Sequence, residues 1–180
     1  MGKRHKVFVS YHHANDQGYR DRFERLFDEH YDIMDSRSVQ EGDMDRYLPR
    51  ETVYRKIRDE HLRDSTVTVV LIGTETWKRK YVDWEIHISV RHTQHNPRSG
   101  LLGIFLPNHP DFMKAEYNHH TIPPRLYDNV QCQFAELYDW RKNPGVVQSW
   151  IHEAFERRNK INPDNSRPLF KNNRSGAEWQ

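Results

Sequence analysis

No internal disulfide and no cysteine-rich zinc site can form in this chain, because Cys132 is its only cysteine among 180 residues. Long apolar runs are also missing. None approaches the roughly 18 residues a membrane span needs, and the opening "MGKRHKVFVSY" has no apolar core of a secretory signal. Gly2 is not followed by Ser or Thr at the position myristoylation requires. A soluble cytoplasmic protein with no membrane attachment is the expectation. Excess charge is lacking too: 28 basic and 26 acidic residues are interspersed, for a net charge of +2, so no basic arm points to nucleic acid. Neither G-x-G-x-x-G nor G-x-x-x-x-G-K-[ST] occurs, which removes the dinucleotide fingerprint and the P-loop. The 12 histidines have neither H-E-x-x-H nor Cys/His ligand spacing. They read as solvated surface residues, and no metal is expected.

What is there is a polar chain (mean hydropathy −1.05) whose apolar residues come in clean bursts. Disorder is therefore a poor reading of most of it. "KVFVSY" (6–11), "YDIMD" (31–35), "TVTVVLIG" (66–73), "LLGIFLP" (101–107) and "VQCQFAELYDW" (130–140) read as strands or strands with a flank. Helical spacing appears over 16–30, with Asn15 or Asp16 as N-cap, over 49–65 behind Pro49, over 76–93 and over 145–159. Residues 36–48 read as a polar loop and 109–129 as a long connection. There is no internal repeat. Alternating strands and helices predict an α/β, flavodoxin-like domain over 1–159: a five-stranded parallel sheet, order 2-1-3-4-5, with helices on both faces and "TVTVVLIG" central. Residues 160–180 read as a polar tail or an edge cover. Ligands in such sheets lie beyond the carboxyl ends of strands one and three, where Ser10, Tyr11, His12 and Gly73–Thr76 fall. That edge has no acidic cluster or phosphoacceptor Asp of a receiver domain, and "SYHHAND" has no glycine for a flavin phosphate loop.

The stretch "TWKRKYVDWEIHISV" (76–90) carries the sharpest signal. Read as one helix, it puts Trp77, Tyr81, Glu85 and Ser89 in a row, beside a core stripe of Val82, Ile86 and Val90. Trp84 reads as core. Glu85 is then a partly desolvated acid behind two aromatics. The plain alternative is a boundary glutamate paired to Lys78 or another surface base.

"VFVSYHHAND" resembles the opening strand of TIR domains, with the polar loop and acid that follow it. "VTVVLIGTETWKRKYVDWEI" resembles their third strand, small polar residues, aromatic and Glu four positions on, with Tyr81 and Glu85 in those places. Relatives usually carry Trp at the position of Tyr81 and serines at those of Thr74 and Thr76. The chain is most similar to the TIR-like branch that includes the TIR protein of the Thoeris anti-phage system. It departs in the loop after strand two, where "DSRSVQEGDMDRYLP" lacks the Arg-Asp and Pro-Gly of many TIR domains.

The resemblance implies that Glu85 is the catalytic carboxylate of NAD⁺ cleavage, with NAD⁺ as substrate and no cofactor. Ser10, Tyr11 and His12 would contact ribose or diphosphate, or be ordinary strand-end residues. Trp77 and Tyr81 would flank the acid, or pack the core. Asp35, ending strand two, would be a loop anchor or, as the alternative, a helper at the site. The resemblance further implies cyclisation of the ADP-ribose product to a messenger for a companion effector, self-association, a resting state, and activation by a phage protein or by oligomerisation. Two other readings stand beside it: a non-catalytic TIR module signalling by self-association, and a nucleotide-binding domain with neither role.

Overall fold

A computed structural model describes residues 4–27, 32–33 and 47–180. The strands are β1 (Lys6–Ser10), β2 (Asp32–Ile33), β3 (Val67–Ile72), β4 (Gly100–Phe105) and β5 (Ala135–Asp139). The helices are α1 (His13–Phe27), α2 (Arg50–Lys56), α3 (Lys80–Val90), α4 (Pro124–Gln131) and α5 (Pro144–Arg157). The strands form one parallel sheet in the order β2-β1-β3-β4-β5. Four strands of five or six residues make its body; β2 adds two ladder positions beside Lys6 and Val7. The central place of β3 follows from its residues, all six of which are buried.

Alternation along each strand divides the core. Val7, Val9 and Tyr11 of the first strand segment, Val67, Val69 and Leu71 of β3, and Leu102 and Ile104 of β4 pack with Phe23 of α1 and Ile151 of α5. On the other face Val70, Ile72, Leu101 and Phe105 meet Val82 and Ile86 of α3 and Leu126 of α4. Phe8 meets Trp84, Ile88, Val53 and Ile57 on that same side. Each such fully buried side chain contributes about 1.5–3 kcal/mol. Helices therefore cover both faces.

Several boundaries differ from the sequence expectation. Helix α1 starts at His13, so Asn15 and Asp16 lie in its first turn rather than at its cap; Asp16 N–H donates to His12 O at 2.8 Å. The connection at 109–129 ends in a helix, α4, entered through Pro123–Pro124 with proline at its first position. The segment 76–93 is not one helix. Thr76–Lys78 form a tight 3₁₀ turn, Arg79 is extended (φ −86°, ψ 121°), and α3 runs only from Lys80 to Val90. Helix α2 continues into a wider π-type turn over Ile57–His61.

Residues 160–180 run across α3 and α4. Asn173 Oδ1 accepts from Lys80 N–H at 2.9 Å, capping α3. Trp84 Nε1 donates to Phe170 O at 2.9 Å, and Trp179 Nε1 to Ile122 O at 2.8 Å. Phe170 and Trp179 are both buried.

Candidate active site

The chain leaves β1 toward β2 on one side and returns to β3 on the other, so the crevice of this sheet lies at the carboxyl ends of β1 and β3. Ser10 ends β1 and shares the face of Phe8, toward α3. Its hydroxyl donates to Glu85 Oε2 on α3. Ser10 is wholly buried and Glu85 is 1 % exposed, far drier than a boundary position. Lys78, the surface base offered as a partner for Glu85, pairs instead with Glu75 at 2.9 Å. One turn after Glu85, the Ser89 hydroxyl folds back onto Glu85 O at 2.9 Å.

The other predicted site residues are divided by this geometry. Tyr11 is next to Ser10 in sequence, so its ring falls on the opposite face of the sheet, in the core of α1 and α5. Its hydroxyl reaches Gln17 Oε1 at 2.6 Å and His13 Nδ1 at 3.0 Å. His12 is buried at the strand end. Tyr81 stands one helical turn before Glu85, half-buried, edge-on to Trp84 with ring centroids 5.9 Å apart. Trp84, expected in the core, is there. Trp77 is 1 % exposed, and it lines a cavity together with residues 173–180. The extended Arg79 removes Trp77 from the helical row, which begins at Tyr81. Asp35 and most of the loop after β2 lie outside the described residues.

Two clusters escaped the sequence reading. The first ties the crevice together. Asp16 is wholly buried, and its Oδ1 accepts from Asn108 Nδ2 at 2.8 Å, joining α1 to the loop after β4. Its Oδ2 has no hydrogen-bond partner and lies against Gly73, where an added Cβ would stand 2.2 Å away. Thr76, beside it, accepts from Gly73 N–H at 2.9 Å and donates to Leu71 O at 3.3 Å. Burial raises the Asp16 carboxyl above its ordinary value, against the lowering effect of Asn108 and Thr76. At the surface of the same turn, Lys78 and Asn15 bind Glu75 and hold its carboxyl below the ordinary range.

The second cluster fixes α3. Asp83, two residues before Glu85, forms a buried ion pair with Arg125 of α4, Nε to Oδ1 2.9 Å. Arg125 also donates to Asn165 Oδ1 at 2.9 Å and to Arg167 O at 2.8 Å, while Asp83 Oδ2 accepts from Phe170 N–H at 2.9 Å. Burial, with Arg125 nearby, pushes His87 on the same helix down to about 4, so its ring is neutral at pH 7. No three His, Cys, Asp or Glu side chains are placed to hold a metal ion among the described residues.

A doubly wound parallel sheet with a Ser–Glu contact buried at its switch point defines a flavodoxin-like α/β signalling domain of the TIR kind. The chain belongs to the family described as Thoeris protein ThsB, TIR-like domain, which matches residues 8–111, from β1 through the loop after β4. No curated protein matches the chain. No helix among the described residues is long and apolar enough to cross a membrane.

Proposed function

We propose that this Thoeris-type TIR-like domain is an enzyme that cleaves NAD⁺ and closes the ADP-ribose product into a cyclic messenger for a companion effector in anti-phage defence. The observation that carries the reading is the Ser10–Glu85 contact: a carboxylate on α3, oriented by a hydroxyl from the end of β1, at the crevice of the sheet. Breaking the nicotinamide–ribose bond sends the bonding pair to the nicotinamide nitrogen, which leaves neutral. Positive charge develops on the ribose, as in glycoside hydrolysis. A fixed carboxylate in a dry site stabilises that charge, and no general acid is needed, because the leaving group is already cationic in NAD⁺. Water or an atom of the same ADP-ribose then attacks C1′ and loses its proton. Exclusion of water favours the internal attack.

The burial of Glu85 adds a condition. At 1 % exposure the carboxylate cannot meet a dinucleotide without a local rearrangement. Weak turnover at rest follows, with activation by self-association or by a phage protein. The test is release of nicotinamide from NAD⁺, with and without conditions that force oligomers. No nicotinamide under either condition leaves the non-catalytic assembly module as the reading.

A further inference from the structure

A groove of about 720 Å³ opens beside the amino-terminal turn of α3, between the start of α2 and the chain at 170–173. Its floor is Tyr81 and Trp84, and Arg50, Lys80 and Lys171 stand around it. No Asp or Glu is among the described residues that line it. Of the acids next to lining residues in sequence, Asp83 is buried and engaged by Arg125, Glu85 is buried against Ser10, and the exposed Glu51 does not line the groove. Two of the cations, Lys80 and Arg50, lie over rings rather than against acids. Lys80 Nζ is 4.9 Å from the Tyr81 centroid and 5.5 Å from that of Trp84, and Arg50 Cζ is 5.8 Å from Trp84. Ring faces place these cations without neutralising them. The amino-terminal end of α3 adds the positive end of a helix dipole.

Three cations without a counter-acid, in a cleft of small-molecule size, match a polyanionic ligand. Position narrows the choice. Tyr81 precedes Glu85 by four residues, about 6 Å along the helix axis. In NAD⁺ the diphosphate is joined to C5′ of the same ribose whose C1′ bears nicotinamide, one sugar from the bond to be broken. We propose that this groove binds the diphosphate of the dinucleotide, with Lys80, Arg50 and Lys171 as its ligands. The identity of the ligand rests on the NAD⁺-cleavage reading; the anion specificity rests on the groove alone.

ADP-ribose has the diphosphate but no nicotinamide to lose, so it can be titrated into the unaltered protein by calorimetry. The comparison is an Arg50→Gln/Lys80→Gln/Lys171→Gln variant, its fold checked by a melting curve. The expected result is ADP-ribose binding that weakens with salt and falls at least about tenfold in the variant. Nicotinamide riboside, which lacks the diphosphate, should bind both proteins alike. Equal ADP-ribose affinity in the two proteins, or none in the unaltered one at millimolar concentration, overturns the proposal. Groove-dependent binding without any NAD⁺ cleavage upholds the groove and sinks the Glu85 reading. Cleavage with groove-independent binding does the reverse.

Discussion

Ser10 and Glu85, 75 residues apart in sequence, meet in the buried space between β1 and α3, hydroxyl to carboxylate. A hydrogen bond to a buried carboxylate orients it as well as stabilising it. Ser10→Ala removes that donor without adding bulk. It is expected to cost about 1–3 kcal/mol of stability, and to lower nicotinamide release by about 10- to 100-fold through misplacement of the acid. Urea unfolding and turnover of the same preparation check both. A variant as stable and as active as the parent would mean that the contact neither holds nor aims Glu85.

Asp16 has a pKa raised by burial. Its folded value exceeds its unfolded one, so the folded state binds the extra proton. The stability it contributes is present at low pH and is lost as pH rises through the raised value. Asp16→Asn mimics the protonated form at every pH. The variant should gain on the parent as pH rises from about 4, the unfolded value, and the gap should level off once Asp16 is ionised. Melting temperatures of both proteins over that range give the gap directly, and a gap that shrinks with pH would reverse the sign assigned to this group.

Gly73 has no room for a side chain, because its Cβ would press on Asp16 Oδ2. Gly73→Ala should destabilise the chain by about 1–3 kcal/mol as an overpacked site. Combining it with Asp16→Ala, which vacates the space, should cost less than the sum of the two single changes. Additive losses in a double-mutant cycle would place the strain elsewhere.

Arg125→Met leaves Asp83 buried without its guanidinium. Breaking such a pair typically costs about 3–5 kcal/mol, while replacing both partners costs much less. Arg125→Met/Asp83→Asn should therefore recover part of the loss, as read by urea unfolding. The single variant should also release residues 163–173, measured as faster amide exchange there. Unchanged exchange would mean that the strap does not depend on this pair.

How far these features were legible depended on how local they are. The doubly apolar β3 announced a central strand, and alternation of short strands with helices announced the parallel order. Ser10 and Glu85 were singled out because the motifs around them are contiguous. Tyr11 was grouped with Ser10 by adjacency, although strand periodicity sends neighbours to opposite faces. Trp77 reads onto α3 because a 3₁₀ turn and a helix share similar apolar spacing; the helix start just after the break at Arg79 is capped by Asn173, far along the chain. The Asp83–Arg125 pair spans 42 residues and the Asp16–Asn108 bond 92. Neither leaves a local pattern, and the only hint was a lone Asp inside the apolar run "YVDWEI".

The central claim is that the buried carboxylate of Glu85 performs chemistry. Glu85→Gln keeps the size of the side chain and an acceptor for Ser10, and removes the charge, exchanging one acceptor oxygen for an NH2 donor. The most direct test is nicotinamide release from NAD⁺ by the parent and the variant under oligomer-forming conditions, each with its melting curve. A near-parental melting temperature with release reduced by about 10²–10³-fold is the predicted result. A variant that folds normally and releases nicotinamide at the parental rate would contradict the account.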